Sequence, residues 1–166
     1  MSSFQIVGLS REPFETLFAL SSEELARKGV LRVKATSKPG FPCRISLVDA
    51  ELNDELLLLP FEHQPEHSPY RSSGPIYVGA AAAQRTLEVG EIPAYVSGRQ
   101  ISLRAYDGSH MMVAAEVCAG AHVAEEIERQ FGNPLVSYIH LHNAKRGCFS
   151  CLVRRAQGLA GASDLT

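Results

Sequence analysis

The sequence predicts an α+β fold, with one domain that has a mainly antiparallel sheet, a few short helices and a C-terminal β-hairpin. Apolar and polar residues alternate with period two in several short segments, as they do in half-buried strands. Helical periodicity is restricted to short stretches, and no internal repeat or linker divides the 166 residues. We therefore expect a single globular domain over residues 1–157, followed by a flexible tail of small and polar residues over 158–166.

The first half of the chain is predicted to place two short helices among four strands. Pro13 suits the first turn of one helix, and Ser21 and Glu24 have the spacing of a capping box for the next, which Gly29 ends. The strands are predicted at residues 4–9, 30–35, 44–48 and 55–61.

Residues 63–75 are predicted to form a long, stiffened loop, because prolines interrupt a polar stretch. Arg71 would give this loop a positive charge for holding a phosphate or carboxylate. The other ligand-binding donors of the loop are Ser68, Tyr70, Ser72, Ser73 and the amides beside Gly74. The alternative is that Arg71 only holds the loop to the domain through backbone carbonyls.

The second half is predicted to hold most of the sheet. A strand at 76–78 is followed by a short helix at 80–87, since alanine loses least on entering a helix. Strands at 100–106 and 111–117 pair across a turn, and apolar residues at helical spacing predict a helix over 122–131. The hairpin from Tyr138 to Cys151 closes the domain.

The hairpin carries the densest set of potential ligands and proton carriers. Period two places His140 and His142 on one face of a strand, where they could hold one metal or one substrate. The coordination of a divalent metal such as zinc at these two histidines would be completed by His63 or His67, or by Cys148 and Cys151 if the strand pairing is broken. The alternative is that the histidines are hydrogen-bonded sheet residues and the cysteines fill the core.

A second wall for the same pocket is predicted on the strand at 100–106. Arg104 and Tyr106 alternate onto one face of that strand, although solvent exposure would explain them as well. Asn143 follows the hairpin histidines and is grouped with the ligand-binding residues. We therefore expect His63, the loop after it, Arg104 and Tyr106 to meet the hairpin histidines.

Composition and charge narrow the range of partners. A net charge of −2 and a pI near 6.3 provide no basic field for nucleic acid. No apolar run approaches the ~18 residues of a membrane helix, and no signal peptide is visible at the N-terminus, so we expect a cytoplasmic protein with reduced cysteines. A small molecule is the expected partner, and the oligomeric state, a homodimer included, stays open.

Ordered motifs across nearly the whole chain resemble a known family. They are Pro42-Cys43-Arg44, His63-Gln64-Pro65, residues 68–78, residues 102–107 and the hairpin from Tyr138 to Cys151. This set resembles the bacterial family called domain of unknown function 1203, which has no established activity to transfer. The resemblance implies a bacterial, soluble, single-domain protein. Two positions depart from the family pattern: Leu152 stands where an arginine is expected, and Arg154 where an acidic residue is expected.

Three classes of function follow from these residues. The first is an enzyme that acts on a small polar or anionic substrate, because preorganised polar groups are what catalysis needs. Its catalytic residues would be His140, His142, His63, Arg71, Arg104 and Tyr106. The second class is a non-catalytic sensor that binds a small molecule or a metal in the same pocket. The third is an interaction module that recruits a partner strand to the hairpin edge.

Overall fold

Two five-stranded sheets form the frame of the molecule, which a computed structural model describes for residues 3–157. The tail predicted at 158–166 lies outside the described residues. The strands are β1 (Phe4–Val7), β2 (Leu31–Lys34), β3 (Pro42–Cys43), β4 (Val48–Asp49), β5 (Glu55–Gln64), β6 (Ser72–Gly79), β7 (Gln100–Tyr106), β8 (Met112–Ala119), β9 (Tyr138–Asn143) and β10 (Phe149–Arg155).

The pairing of these strands is antiparallel with one exception. The first sheet has the order β1-β10-β9-β7-β8, and the second has the order β2-β5-β6-β3-β4. The exception is the contact of β3 with β6, where Cys43 lies opposite Tyr77 in parallel. Together with the short helices, this arrangement confirms the predicted α+β class and its mainly antiparallel character.

Short helices lie between and upon the sheets. They are α1 (Glu15–Phe18), α2 (Ser22–Arg27), α3 (Ala94–Ser97) and α4 (Val123–Phe131). The predicted capping box starts α2, where Ser21 and Glu24 satisfy each other's backbone N–H groups. None of the helices in the described residues is long and apolar enough to cross a membrane.

The first sheet has one apolar and one polar face. Residues of its apolar face share a buried core with α4, which contributes Val123, Ile127 and Phe131 at helical spacing. The sheet contributes Phe4, Ile6, Ile101, Leu103, Ile139, Leu141, Cys151 and Val153 to that core. The alternate residues of β7 and β9 therefore point to the opposite face, where polar side chains collect.

The second sheet covers part of that opposite face. Its residues Leu57, Leu59, Ile76 and Val78 form a core with Phe149 of β10. Phe14 and Leu25, from the helical segment after β1, close this core. The junction of the two sheets thus brings the end of β5 against the polar face of β9.

Residues 80–87 do not form the helix that their alanine run predicts. Backbone hydrogen bonds tie this segment to distant parts of the chain instead. Gly8 N donates to Arg85 O at 2.8 Å, and Arg85 N donates to Ile45 O at 3.1 Å. Long-range pairing therefore overrides the intrinsic helix preference of alanine.

Two further predictions of elements need correction. In the strand predicted at 44–48, residues 44–47 form a turn between β3 and β4, with Leu47 at φ 60°, and only Val48 belongs to a strand. The loop predicted at 63–75 covers only 65–71, because β5 continues to Gln64 and β6 begins at Ser72 and includes Pro75. Pro60 and Pro75 lie opposite each other, and β2 pairs only with residues 55–58, so Pro60 has no ladder hydrogen bond to lose on that side.

The hairpin lies in the middle of its sheet. Strand β9 pairs with β7 and β10, and strand β10 pairs with β9 and β1. Both edges of β9 and residues 152–155 of β10 are therefore occupied by strands. Beyond the reach of β1, the carbonyls of Phe149 and Ser150 accept hydrogen bonds from the side chains of Arg44 and Tyr95. The hypothesis that the hairpin edge recruits a partner strand is wrong.

Candidate functional site

Three histidines meet where the two sheets join. His140 and His142 share the polar face of β9, and His63 arrives from the end of β5. The ring centroid of His63 lies 4.8 Å from that of His142 and 6.1 Å from that of His140, and the two β9 rings are 6.3 Å apart. Phe149 borders all three rings at 5.2 to 5.8 Å. We call His63, His140 and His142 the histidine cluster.

Burial keeps the histidine cluster neutral. The exposed fractions of His63, His140 and His142 are 9%, 5% and 0%. Burial is the largest cause that lowers the pKa of His140 to about 3, and the neighbouring His142, His63 and Arg104 add to it. Burial likewise lowers the pKa of His142 to about 3 and also lowers that of His63. At neutral pH these imidazoles therefore carry a lone pair and no charge.

Several nitrogens of the cluster have no hydrogen-bond partner among residues 3–157. They are both ring nitrogens of His63, Nδ1 of His140 and Nε2 of His142. The other nitrogen of His142, Nδ1, donates to the carbonyl of Gly147 at 2.9 Å, which leaves the lone pair on Nε2. A buried polar group without a partner costs about 1–3 kcal/mol, which makes the cluster a candidate functional site.

The cysteines of the hairpin do not join the histidine cluster. A bulge at Ser150 shifts the register, and Cys151 lies opposite Leu141 within the apolar core. Cys148 contacts Arg44 and Asn143, and all four cysteines are free thiols. Within residues 3–157, no group of three or more His, Cys, Asp or Glu side chains is arranged to hold a metal ion.

A chain of hydrogen-bonding groups runs beside the cluster. Gln64 Nε2 donates to the hydroxyl of Tyr138 at 3.0 Å, and that hydroxyl lies 2.7 Å from Nδ1 of His110. The other nitrogen of His110, Nε2, lies 3.5 Å from a carboxylate oxygen of Glu66. We call Glu66, His110 and Tyr138 the relay.

The directions within the relay follow from the chemistry of its groups. The amide nitrogen of Gln64 can only donate, so the hydroxyl proton of Tyr138 is free to point at His110. His110 Nδ1 then accepts, and its Nε2–H faces Glu66. His110 also has a left-handed backbone at φ 64°, a conformation that costs free energy in residues other than glycine and clusters at functional sites.

Stacked tyrosines hold the relay in place. The ring of Tyr106 stacks on that of Tyr138 at 5.2 Å with 17° between the planes, and Tyr70 meets Tyr106 edge-on at 6.3 Å. Burial raises the pKa of both Tyr106 and Tyr138, so both phenols are protonated at neutral pH. At neutral pH Tyr138 therefore keeps its hydroxyl proton.

An open cleft of about 330 Å³ exposes these groups to a ligand. The relay lines it together with Gln64 and two members of the histidine cluster, His63 and His140. Cavities of similar volume occur elsewhere, but this one combines a relay with buried lone pairs, which is the convergence expected at a functional site.

The structure brings together some of the residues predicted from sequence. His63 lies against His140 and His142, Arg104 lies opposite His140, and Tyr106 approaches His140 at 5.1 Å between rings. Tyr70 joins them through Tyr106. These residues belong to one face of the first sheet and the strand that crosses it.

The loop residues predicted to bind an anion lie elsewhere. Arg71 is exposed and pairs with Glu62 at 3.2 Å, and Ser72, Ser73 and Gly74 belong to β6. Ser68 accepts a hydrogen bond from the backbone of Tyr70. Asn143 donates to Cys148, away from the cleft.

Sequence reasoning missed four residues of this site. Tyr138 could have been found, because the alternation that places His140 and His142 together places Tyr138 on the same face. Gln64, Glu66 and His110 come from loops and strand ends whose meeting no local pattern reveals.

Comparison with known proteins gives one match. The model of a family described as "Protein of unknown function (DUF1203)" matches residues 40–155. Neither the curated proteins nor the solved structures contain a match to the chain. The matched range includes the histidine cluster and the relay.

Proposed function

The chain belongs to the DUF1203 family of proteins of unknown function, so we infer its chemistry from its own residues. We propose that it is an enzyme that transfers a proton to or from a small polar substrate. The observation that carries this proposal is the relay, in which a carboxylate, an imidazole and a phenol hydroxyl follow one another at the wall of a cleft. In such a sequence the imidazole accepts the proton of the phenol hydroxyl and the carboxylate stabilises the imidazolium, so that a weakly acidic hydroxyl can take part in proton transfer.

Tyr138 is the group that meets the substrate. As a proton leaves the substrate for the phenol oxygen, the hydroxyl proton of Tyr138 moves to Nδ1 of His110. The imidazolium formed on His110 faces the carboxylate of Glu66, which stabilises its charge. The same chain run in reverse delivers a proton to the substrate.

Two members of the histidine cluster, His63 and His140, line the cleft and contact the substrate, and Arg104 acts on both through its charge. The rings of these two histidines are neutral at pH 7, so a ring nitrogen that reaches the cleft accepts a hydrogen bond from a hydroxyl or amide group of the substrate. Arg104 has neither a carboxylate nor a hydrogen-bond partner among the residues that the structure describes, and it lowers the pKa of His63 and His140 through its charge. This charge favours substrates that carry, or develop, a negative charge.

Exchange of substrate hydrogen with solvent tests the proposal without knowledge of the product. Small hydroxy acids, oxo acids and sugars are incubated with the full chain in D₂O, and deuterium incorporation at carbon is followed by NMR. We expect exchange into members of one such class. Tyr138→Phe and His110→Gln should each lower its rate by roughly 100-fold or more, since acid–base groups contribute at least that much.

The matched control is His122→Gln, which removes an exposed histidine before α4. It should leave the exchange rate unchanged. Exchange that proceeds equally fast with Tyr138→Phe would contradict the role of the relay.

A non-catalytic binding protein is the second candidate, favoured by His140, which lines the cleft and whose pKa burial lowers to about 3. Such a group does not change protonation near neutral pH, so it serves as a fixed hydrogen-bond acceptor. Compounds that raise the melting temperature of the wild type but not of His140→Gln, without any deuterium exchange, would favour this candidate.

A further inference from the structure

A second cavity, of about 380 Å³, lies at the turn end of the hairpin, whereas the cleft lies towards its other end. It is lined by Arg44, Arg99, Arg146, Asn143, Cys148 and Tyr77, among others. None of the relay residues or of the histidine cluster lines it. Whatever it binds is therefore distinct from the substrate proposed above.

Arg44 is buried in the wall of this cavity without a counter-charge. Its exposed fraction is 2%, and no carboxylate oxygen within residues 3–157 lies within 4.0 Å of its guanidinium. Nε donates to Phe149 O at 2.9 Å, Nη1 donates to Pro42 O at 2.6 Å, and Nη2 reaches only the sulfur of Cys148 at 3.5 Å. Buried charges in proteins are normally paired, so this guanidinium lacks the partner that its position calls for.

A purely structural role accounts for only part of this geometry. The two carbonyl contacts of Arg44 tie the turn before β4 to the start of β10. A neutral donor could make such contacts without the cost of burying a charge. The contacts explain the position of Arg44, and the charge points to an anion.

Two more cations stand at the same cavity. Arg99 forms an ion pair with Asp49 at 3.8 Å, and the carboxylate of Asp49 also accepts a hydrogen bond from the backbone N–H of Gly40. Arg146 is exposed on the hairpin turn and has no ion-pair partner in the described part of the chain. The cavity thus holds three guanidinium groups, one of which is compensated by a carboxylate.

We propose that this cavity binds a small oxyanion, the phosphate or carboxylate group of a metabolite. The planar fork of a guanidinium fits either group, and positive charge at the mouth attracts both. Asn143, which donates to Cys148 at 3.3 Å and lines the cavity, adds a neutral donor. Cys148 is partly exposed beside Arg44 and reports whether the cavity is filled.

Protection of Cys148 from alkylation tests the proposal on the folded full chain. Iodoacetamide is applied in phosphate, sulfate, acetate or chloride at equal ionic strength, and modification is mapped by peptide mass. Phosphate should slow modification of Cys148 at least about threefold relative to chloride, as expected for a charge-assisted contact. If sulfate protects Cys148 as phosphate does and acetate does not, the natural ligand carries a phosphate group. If acetate protects Cys148 and sulfate does not, the ligand carries a carboxylate.

Cys118 is the internal control, because it is partly exposed, lies beside the carboxylates of Glu116 and Glu126, and does not line the proposed cavity. Its modification rate should be the same in all four salts. Equal rates of Cys148 modification in all four salts would overturn the proposal.

A pair of neighbouring variants separates a specific site from general attraction. Arg146→Gln should raise the phosphate concentration needed for half protection about fivefold, because one of the cations is lost. Lys145→Gln removes the neighbouring cation of the turn, a side chain that lines an adjacent cavity. It should change the phosphate concentration for half protection less than about twofold. Equal effects of the two variants would show that phosphate is attracted only by the general positive charge of the turn, and would overturn the proposal of a specific site.

Discussion

The buried histidines make the stability of the fold depend on pH. His140 and His142 have a folded pKa of about 3, below the ordinary value of 6.5 that they regain on unfolding. Between these values the unfolded chain binds more protons, so acid favours unfolding. Stability is fully present above about pH 6.5 and is lost as the pH falls towards 3.

We therefore expect the melting temperature to fall steeply between pH 6.5 and about 4, by an amount that corresponds to a few kcal/mol. The double variant His140→Gln, His142→Gln removes both titrating groups and should show a much shallower fall, whatever its melting temperature at pH 7. Calorimetry across this pH range measures both slopes. Equal slopes would show that the two imidazoles are not held neutral by the fold.

Single residues also decide how the relay is held. The hydroxyl of Tyr138 stands between Gln64 and His110, while its ring stacks on Tyr106. Stacking and hydrogen bonding therefore fix the same atom from two directions. This is the preorganisation that a proton carrier needs, because a misplaced oxygen would lose contact with either the imidazole or the substrate.

At the scale of elements, local sequence patterns predicted what local forces determine. Alternation predicted β7 and the hairpin, and helical spacing predicted α4, because each of these elements exposes one face and buries the other. The segment 80–87 was misjudged, since its backbone bonds go to residues far away in the chain. The site divides in the same way: period two places Tyr138, His140 and His142 on one face, and His63 was expected beside them, whereas Glu66 and His110 lie in loops whose meeting depends on the whole fold.

The connection between β8 and α4 depends on a close backbone approach. A Cβ atom on Gly120 would lie 2.1 Å from Val96 O and 2.6 Å from Arg99 O. Gly120→Ala should therefore lower the free energy of unfolding by roughly 2–3 kcal/mol, through displacement of α3. Gly74→Ala is the matched control, since a Cβ there meets nothing within 4 Å. Denaturant melts that give similar losses for the two variants would contradict this packing.

At the scale of the whole molecule, the family match omits parts that the fold needs. The matched range begins at residue 40, so it excludes β1, α1, α2 and β2. Strand β1 completes the first sheet beside β10, and β2 completes the second beside β5. Phe4 and Ile6 of β1 are fully buried.

We expect a chain of residues 40–155 to be insoluble or to lack a cooperative melting transition. Each buried apolar side chain that is lost costs about 1.5–3 kcal/mol, and a domain has only about 5–15 kcal/mol in total. Calorimetry compares the melting transition of this shortened chain with that of residues 3–157. A shortened chain that melts cooperatively near the temperature of the longer one would show that β1 and the α1–β2 segment are dispensable.

The most direct test of the site as a whole is the position of the protons on its histidines. Long-range ¹H–¹⁵N NMR at about pH 8, above the ordinary histidine pKa, distinguishes the two ring nitrogens of each imidazole. We expect opposite tautomers: His110 carries its proton on Nε2 and accepts from Tyr138 at Nδ1, whereas His142 carries its proton on Nδ1 and donates to Gly147. Tyr138→Phe should change the shift of His110 Nδ1 and leave His142 unchanged. A proton on Nδ1 of His110 in the wild type would mean that Tyr138 cannot pass its proton to the imidazole, and the proposed relay would be contradicted.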